Sequence, residues 1–151
     1  MALKNRKDMD PRFQWKLSDI FETPEAWEAA FAKAKKAVEE LGALEGTLKQ
    51  SAESLKSGLD QIYAATEQVE LVYLYASLSK SGDNGDPEAQ RLEGRAMSLY
   101  VALSTALSFV DPEILSIPKE TLDAWMALPE LQEYHHILED TDRQRPYSLP
   151  A

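Results

Sequence analysis

The residues of this chain able to do chemistry are few, and their spacing limits them further. His135 and His136 are the only histidines and there is no cysteine. Neighbouring residues on a helix point ~100° apart, so one metal ion cannot readily take both imidazoles. An H-E-x-x-H zinc helix needs two histidines four apart, which this sequence lacks. Glu133 and His136 form one E-x-x-H pair. Di-metal carboxylate bundles use that spacing twice, with further glutamates. One pair reads as a surface His-His flanked by acids. A metal shared between two chains is the sharper alternative. Asp83-Asn84-Gly85-Asp86 gathers oxygen ligands but lacks the alternating acids of a calcium loop, so a helix-capping turn is expected. Glu39-Glu40 and Asp140 with Asp142 sit among other charges and read as solvated helix faces. No G-x-S-x-G, P-loop or G-x-G-x-x-G occurs. The expectation is that this chain carries no catalytic, cofactor-binding or metal-binding residue.

Elements that would position such groups are legible in the composition. In 151 residues Leu and Ala number 39, whereas Val, Ile and Thr number 16. β-Branched residues favour strands and the others favour helices, so the fold class expected is all-α. With 26 acidic and 16 basic side chains the formal charge is −10, which disfavours a nucleic-acid partner. The absence of cysteine excludes disulfide, Fe–S and Cys-zinc chemistry. No apolar run is long enough for a membrane span, and the charged first ten residues lack a secretory h-region. A cytoplasmic location is the expectation.

Residues 1–14 read as a flexible N-terminal arm. Trp15, Leu17, Ile20 and Phe21 could then dock as an anchoring turn. Thr23-Pro24 starts the first helix as N-cap and N1, Trp27, Ala30, Phe31, Ala34, Val38 and Leu41 form its buried stripe, and Gly42 suits its left-handed stop. A second helix opens at Ser51 along Leu55, Leu59, Ile62, Thr66, Val69, Tyr73 and Ala76, a seam of alternating four- and three-residue steps. A bend at Thr66 leaves two shorter helices possible. Asp86-Pro87 starts a third helix through Leu92, Ala96, Leu99, Leu103 and Ala106 to about Val110. Pro112, Pro118 and Pro129 open shorter pieces, the last running through Leu131, Tyr134 and Leu138 toward Arg143. The end, from Arg145 through Pro150, reads as extended because residues before proline avoid the α region. Antiparallel packing of three long amphipathic helices with shorter C-terminal ones follows.

Tyr73, Tyr75, Tyr100 and Tyr134 lie in or beside the apolar stripes, mostly as core with their hydroxyls reaching water or a partner. Leu71-Val72-Tyr73-Leu74-Tyr75-Ala76 is apolar all round its helix. Such a stretch expects cover on every side, so part of it is expected to meet a partner, including a second copy in a homo-oligomer.

In order along the chain, several segments resemble one family. Trp15-Lys16-Leu17-Ser18-Asp19-Ile20-Phe21 is similar to the opening W-x-L-S-D-I-F of oligoendopeptidase F. Ser51-Ala52-Glu53-Ser54-Leu55, Tyr73-Leu74-Tyr75-Ala76-Ser77-Leu78 and Asp86-Pro87-Glu88-Ala89-Gln90 look like its next helical landmarks. The densest likeness is Ser108-Phe109-Val110-Asp111-Pro112-Glu113-Ile114-Leu115 followed by Ile117-Pro118-Lys119-Glu120-Thr121-Leu122. Tyr134-His135-His136-Ile137-Leu138 and Arg145-Pro146-Tyr147-Ser148-Leu149 complete it, with Tyr147 where the family commonly has histidine. The resemblance implies a cytoplasmic zinc metallopeptidase of several hundred residues that cleaves short peptides. It also implies that this chain is only its N-terminal helical lobe, packed over the catalytic lobe and limiting substrate size. Residues 15–145 would be that lobe and 146–151 an extended end leading into a missing catalytic domain. His135 and His136 match no zinc motif of the family, so zinc belongs to the full-length parent and oligopeptides to its cleft. The alternative is a stand-alone helical interaction or dimerisation module.

Overall fold

The structure is a computed structural model and describes residues 8–148. The first seven residues of the expected arm and the last three of the expected extended end lie outside the described residues. Every regular element among the described residues is helical, as the Leu/Ala-rich composition requires. The chain divides into two compact units, residues 8–38 with 65–103 and residues 39–64 with 104–148.

The first unit is built on three helices, α1 (Pro24–Glu40), α2 (Ala52–Gly82) and α3 (Pro87–Ala106), the second of which also serves the other unit. Each starts as its sequence directs. Thr23 Oγ1 accepts the Ala26 N–H at 3.2 Å, Ser51 Oγ accepts that of Ser54 at 3.0 Å, and Asp86 Oδ1 accepts that of Glu88 at 2.9 Å. Each cap satisfies an N–H that the helix cannot pair within itself. Lys80 pairs with Glu93, and Tyr73 with Tyr100, so residues earlier on α2 meet residues later on α3 and the two helices run antiparallel. Trp27, Val69, Val72, Ala76, Ala96, Leu99 and Leu103 fill the core of this unit.

α2 is one helix of 31 residues, about 46 Å long, without the break that Thr66 suggested. Threonine costs a helix only about 0.7 kcal/mol. The buried seam also passes it by, because Ala65 and Val72 are buried where Thr66 and Tyr73 are only half-buried. α3 stops at Ala106, short of the expected Val110. A longer helix would place Pro112 in its interior, where proline lacks the donor for the residue 108 carbonyl and its ring clashes there. Ser108 and Val110 instead donate to Thr105 and Leu107 in tight i→i+3 turns. Pro112 then falls in the first turn of α4 (Val110–Ser116), where it is tolerated. Ahead of α1, Trp15 is 59% exposed, whereas Phe21 lies edge-on to Tyr75 with centroids 5.6 Å apart.

The second unit packs a 3₁₀ turn (Leu41–Leu44), the first half of α2, α4, α5 (Lys119–Met126) and α6 (His135–Arg143), with α6 against α4 and α5. Leu48, Leu55, Ile117, Leu122, Leu131 and Leu138 are its most deeply buried side chains. The left-handed glycine expected at Gly42 is Gly46, with φ 83°. Glu45 is extended and the Thr47 N–H returns to the Leu44 carbonyl at 2.9 Å. That is a type II turn, whose third residue needs positive φ. Gly58 has a different reason to be glycine, because a Cβ there would run into the buried Leu48 side chain.

Pro129 opens a 3₁₀ segment (Pro129–Tyr134) before α6, so the expected last helix changes winding at His135. Three residues per turn put Leu131 and Tyr134 on one edge, Leu131 in the core and Tyr134 beside Asp60. The expected extended end is a further 3₁₀ turn over Arg145–Tyr147, closed by the Tyr147 N–H on the Gln144 carbonyl at 2.9 Å. Arg145 offsets the pre-proline penalty by donating to the Leu115 carbonyl at 2.5 Å and to Asp142 at 2.8 Å.

Candidate functional site

The apolar stretch at residues 71–76 has two faces. Val72 and Ala76 point into the first unit's core, whereas Leu71 and Leu74 lie outside it. On α3, Met97, Tyr100 and Val101 do the same. These five side chains are between 42% and 57% exposed. Leu71 with Leu74, and Met97 with Tyr100 and Val101, repeat at helical steps of three and four, so each set forms one stripe. Because α2 and α3 are neighbours, Leu71, Leu74, Met97 and Tyr100 face a shared groove of about 630 Å³, lined also by Glu67, Glu70, Tyr73 and Ser77, while Val101 lies outside its lining. Its wall carries the Tyr73–Tyr100 pair, with ring centroids 5.6 Å apart. A second hollow in the same unit, about 750 Å³, runs from Leu17 past Trp27 and Tyr75 to the loop at residues 83–86.

Beneath the second hollow stands a clamp that the sequence did not advertise. Arg95 donates twice to Glu28, at 2.5 and 2.8 Å, and its guanidinium lies 5.0 Å from the Trp27 ring centroid and 4.4 Å from that of Phe31. Planar guanidinium suits both partners at once. The hydrogen bonds from Arg95 hold the Glu28 carboxyl below its ordinary range.

The residues that spacing singled out for chemistry are dispersed. Glu133 meets Lys56 at 3.2 Å, and His136 Nε2 lies 3.4 Å from Asp140 Oδ2 with its side chain 83% exposed. Glu133 and His136 thus face different partners instead of a common point. No three His, Cys, Asp or Glu side chains among the described residues stand close enough to hold a metal ion. The described residues therefore assemble no set of ligands that would fit zinc. Asp83 Oδ1 accepts the Gly85 N–H at 3.0 Å and Gln90 donates to the Asn84 carbonyl at 2.7 Å, which makes that loop the capping turn its sequence suggested. Tyr134 donates its hydroxyl to Asp60 at 2.6 Å and stacks on Tyr63. Burial, followed by that hydrogen bond, raises the Tyr134 hydroxyl far above its ordinary range, and the same bond lowers Asp60.

Two carboxylates of the second unit are withdrawn from water, and for Asp142 this corrects the expected solvated helix face, because Arg145 and Lys119 close over it. Glu113 is 7% exposed and accepts the backbone N–H groups of Gly46 at 2.7 Å and Lys49 at 3.2 Å. Asp142, its side chain 13% exposed, receives Arg145 at 2.8 Å and Lys119 at 3.1 Å. An acid's sequence neighbours do not report its burial, which residues distant in the chain decide, so neither role had a local signal. Burial raises the Asp142 carboxyl, but hydrogen bonds from Arg145 and Lys119 outweigh it and the net shift is downward. A depressed carboxylate stabilises the fold above its unfolded pKa of about 3.9, and that stability is lost as pH falls through the lower folded value. Asp142→Asn is accordingly expected to lose about 1–2 kcal/mol at pH 7. Its stability should also fall less than the parent's below pH ~4. Urea unfolding across that range measures both.

The described residues form an all-α fold with two open hollows in its first unit. Residues 113–151 match the family model described as Oligopeptidase F. The chain is 33% identical over 141 residues to the plasmid oligoendopeptidase F of Lactococcus lactis subsp. cremoris, covering 90% of this chain and 23% of that one. It is 31% identical over 148 residues to oligopeptidase PepF of Bacillus subtilis, covering 97% of this chain and 22% of that one. The crystal structure of oligoendopeptidase-F from Enterococcus faecium matches with a TM-score of 0.75 at 25% identity, over 84% of this chain and 25% of that one. The chain thus spans about a quarter of the length of the curated relatives it matches. It is similar to the N-terminal region of oligoendopeptidase F, as the ordered motifs from Trp15 onward indicated.

Proposed function

We propose that this chain is the N-terminal lobe of a cytoplasmic zinc oligopeptidase that hydrolyses short peptides. In this reading it walls the catalytic cleft and limits the size of what enters, while the catalytic residues and the zinc belong to another part of the parent. The observation that carries the reading is the likeness to oligoendopeptidase F along nearly the whole chain, at a quarter of the relatives' length. The described residues support it by their chemistry, since the E-x-x-H pair is spent on Lys56 and Asp140. A wall that selects by size must resist displacement. The Trp27–Arg95–Glu28 clamp ties α1 to α3 in the unit that would have to stay closed, and excluding bulk water from a closed cleft strengthens the electrostatics inside it.

The test compares the 151-residue chain with the longest product of its own reading frame. Both are given internally quenched short peptides and unfolded casein, with and without a metal chelator. Expected are an inert short chain and a long product that cleaves only the short peptides and stops when chelated. Chelator-sensitive cleavage by the short chain alone overturns the division of roles, and so does a long product that digests casein as readily as a short peptide.

A further inference from the structure

We infer that the groove between α2 and α3 is a docking site for a basic amphipathic helix. Its floor and lips are apolar, from Leu71, Leu74, Met97 and Tyr100, and its only charged lining residues are Glu67 and Glu70. Glu67, Glu70, Leu71 and Leu74 fall at i, i+3, i+4 and i+7 of α2, so the carboxylates continue the apolar stripe at one end of the groove. Among the described residues neither glutamate meets a cation, in contrast to Glu28, Glu88, Glu93 and Glu133, each of which has an arginine or lysine partner. The groove thus offers apolar contact along its length and uncompensated negative charge at one end.

That pattern selects its occupant. Two antiparallel helices leave a furrow into which the side-chain ridge of a third helix packs. An extended strand would find no free backbone N–H or C=O along helix flanks to pair with, which removes the main source of strand affinity. Methionine and tyrosine suit such a floor, being adaptable and amphipathic respectively. The carboxylates call for lysine or arginine beside the apolar stripe of the incoming helix. A second copy of this chain fits poorly. An isologous contact uses the same patch twice, so it would bring Glu67 and Glu70 of each copy into one interface between two chains of charge −10.

The probe is a peptide of about 18 residues, roughly five helical turns, with leucines at i, i+3, i+4 and i+7 and lysines beside them. Its controls are the same peptide with glutamate for lysine, and a scrambled order of the basic one. Titration of the intact 151-residue chain, followed by peptide anisotropy, should show binding of the basic helix alone, weakening as salt rises. Leu74→Ser with Met97→Ser should weaken it about tenfold or more. Glu67→Lys with Glu70→Lys should reverse the choice, so that the acidic peptide binds and the basic one does not. All four positions are solvent-facing, and circular dichroism establishes that the variants are folded. Equal binding of scrambled and patterned peptides overturns the proposal, as does indifference to either pair of substitutions. A dimer by sedimentation that Leu74→Ser dissolves would assign the groove to a second copy instead. Peptidase activity in a longer product is independent of every one of these outcomes.

Discussion

Trp27→Ala is expected to lose about 3–5 kcal/mol, the range for deleting a large buried aromatic. Trp27 is 1% exposed, and three kinds of interaction end on it. Its indole N–H donates to the Val72 carbonyl of α2 at 3.0 Å. Its ring stacks on Phe31 with centroids 5.2 Å apart and lies 6.4 Å from that of Tyr75. Arg95, already fixed by Glu28, covers it from α3. Alanine would remove the ring, leave a cavity bounded by three helices, and strip the aromatic face from beneath the guanidinium. Phenylalanine separates these contributions. Trp27→Phe keeps most of the apolar volume but loses the donor, so it should cost about 1–2 kcal/mol, near the value of one hydrogen bond plus a small void. Denaturant unfolding with far-UV detection measures both variants. If Trp27→Ala lost under 1 kcal/mol, Trp27 would not be the element that joins α1, α2 and α3. The isolated short chain suffices for the measurement, because every contact named lies within one unit.

The periodic parts of this fold were open to reading because they repeat. Ser51 and the Thr23-Pro24 and Asp86-Pro87 pairs mark helix starts by local hydrogen-bond chemistry, and the seam of α2 appears in its 3.5-residue steps. Errors fell where two local rules compete or where a distant residue decides. Gly42 and Gly46 both offer a left-handed stop. The choice went to Gly46 because the turn after Leu44 is type II. Arg145 precedes a proline and should be extended, yet its side chain is held by a carbonyl 30 residues away and the backbone follows. Thr66 and Tyr73 kept the right period but the wrong side, displaced by their neighbours Ala65 and Val72. For the candidate site, the excess of apolar surface at residues 71–76 was visible in the sequence. Its partner stripe on α3 was not, because Met97 and Tyr100 acquire meaning only once α3 lies beside α2. Nor could spacing reveal Arg95 over Trp27 or Glu113 beneath the turn, since each joins positions more than 60 residues apart.

Glu113→Ala should cost about 2–3 kcal/mol, and more than its place on a seven-residue helix would suggest. Its carboxylate is the acceptor for the Gly46 and Lys49 N–H groups across the turn that leads into α2. Hydrogen bonds to a charged acceptor are worth about 1.5–3 kcal/mol, and leaving buried donors unmatched costs about 1–3 kcal/mol each. Alanine removes both bonds together, and the part-buried donors would have to be rehydrated by opening the turn. That turn also seats Leu48 against Gly58, so its loosening should reach the core of the second unit. Glu113→Gln retains one oxygen as acceptor but turns an N–H group toward a second donor, and should recover less than half of the loss. Glu113→Asp is shorter by a methylene and cannot span both donors. Thermal unfolding gives the order parent, Gln, Ala, with about 2–4 °C per kcal/mol for a chain of this size. Amide exchange locates the effect. The Gly46 and Lys49 amides should lose protection first in Glu113→Ala, while those of α3 keep theirs. Equal stability of the Ala variant and the parent would mean that water replaces the carboxylate without cost, and that this turn is held by Leu48 packing alone.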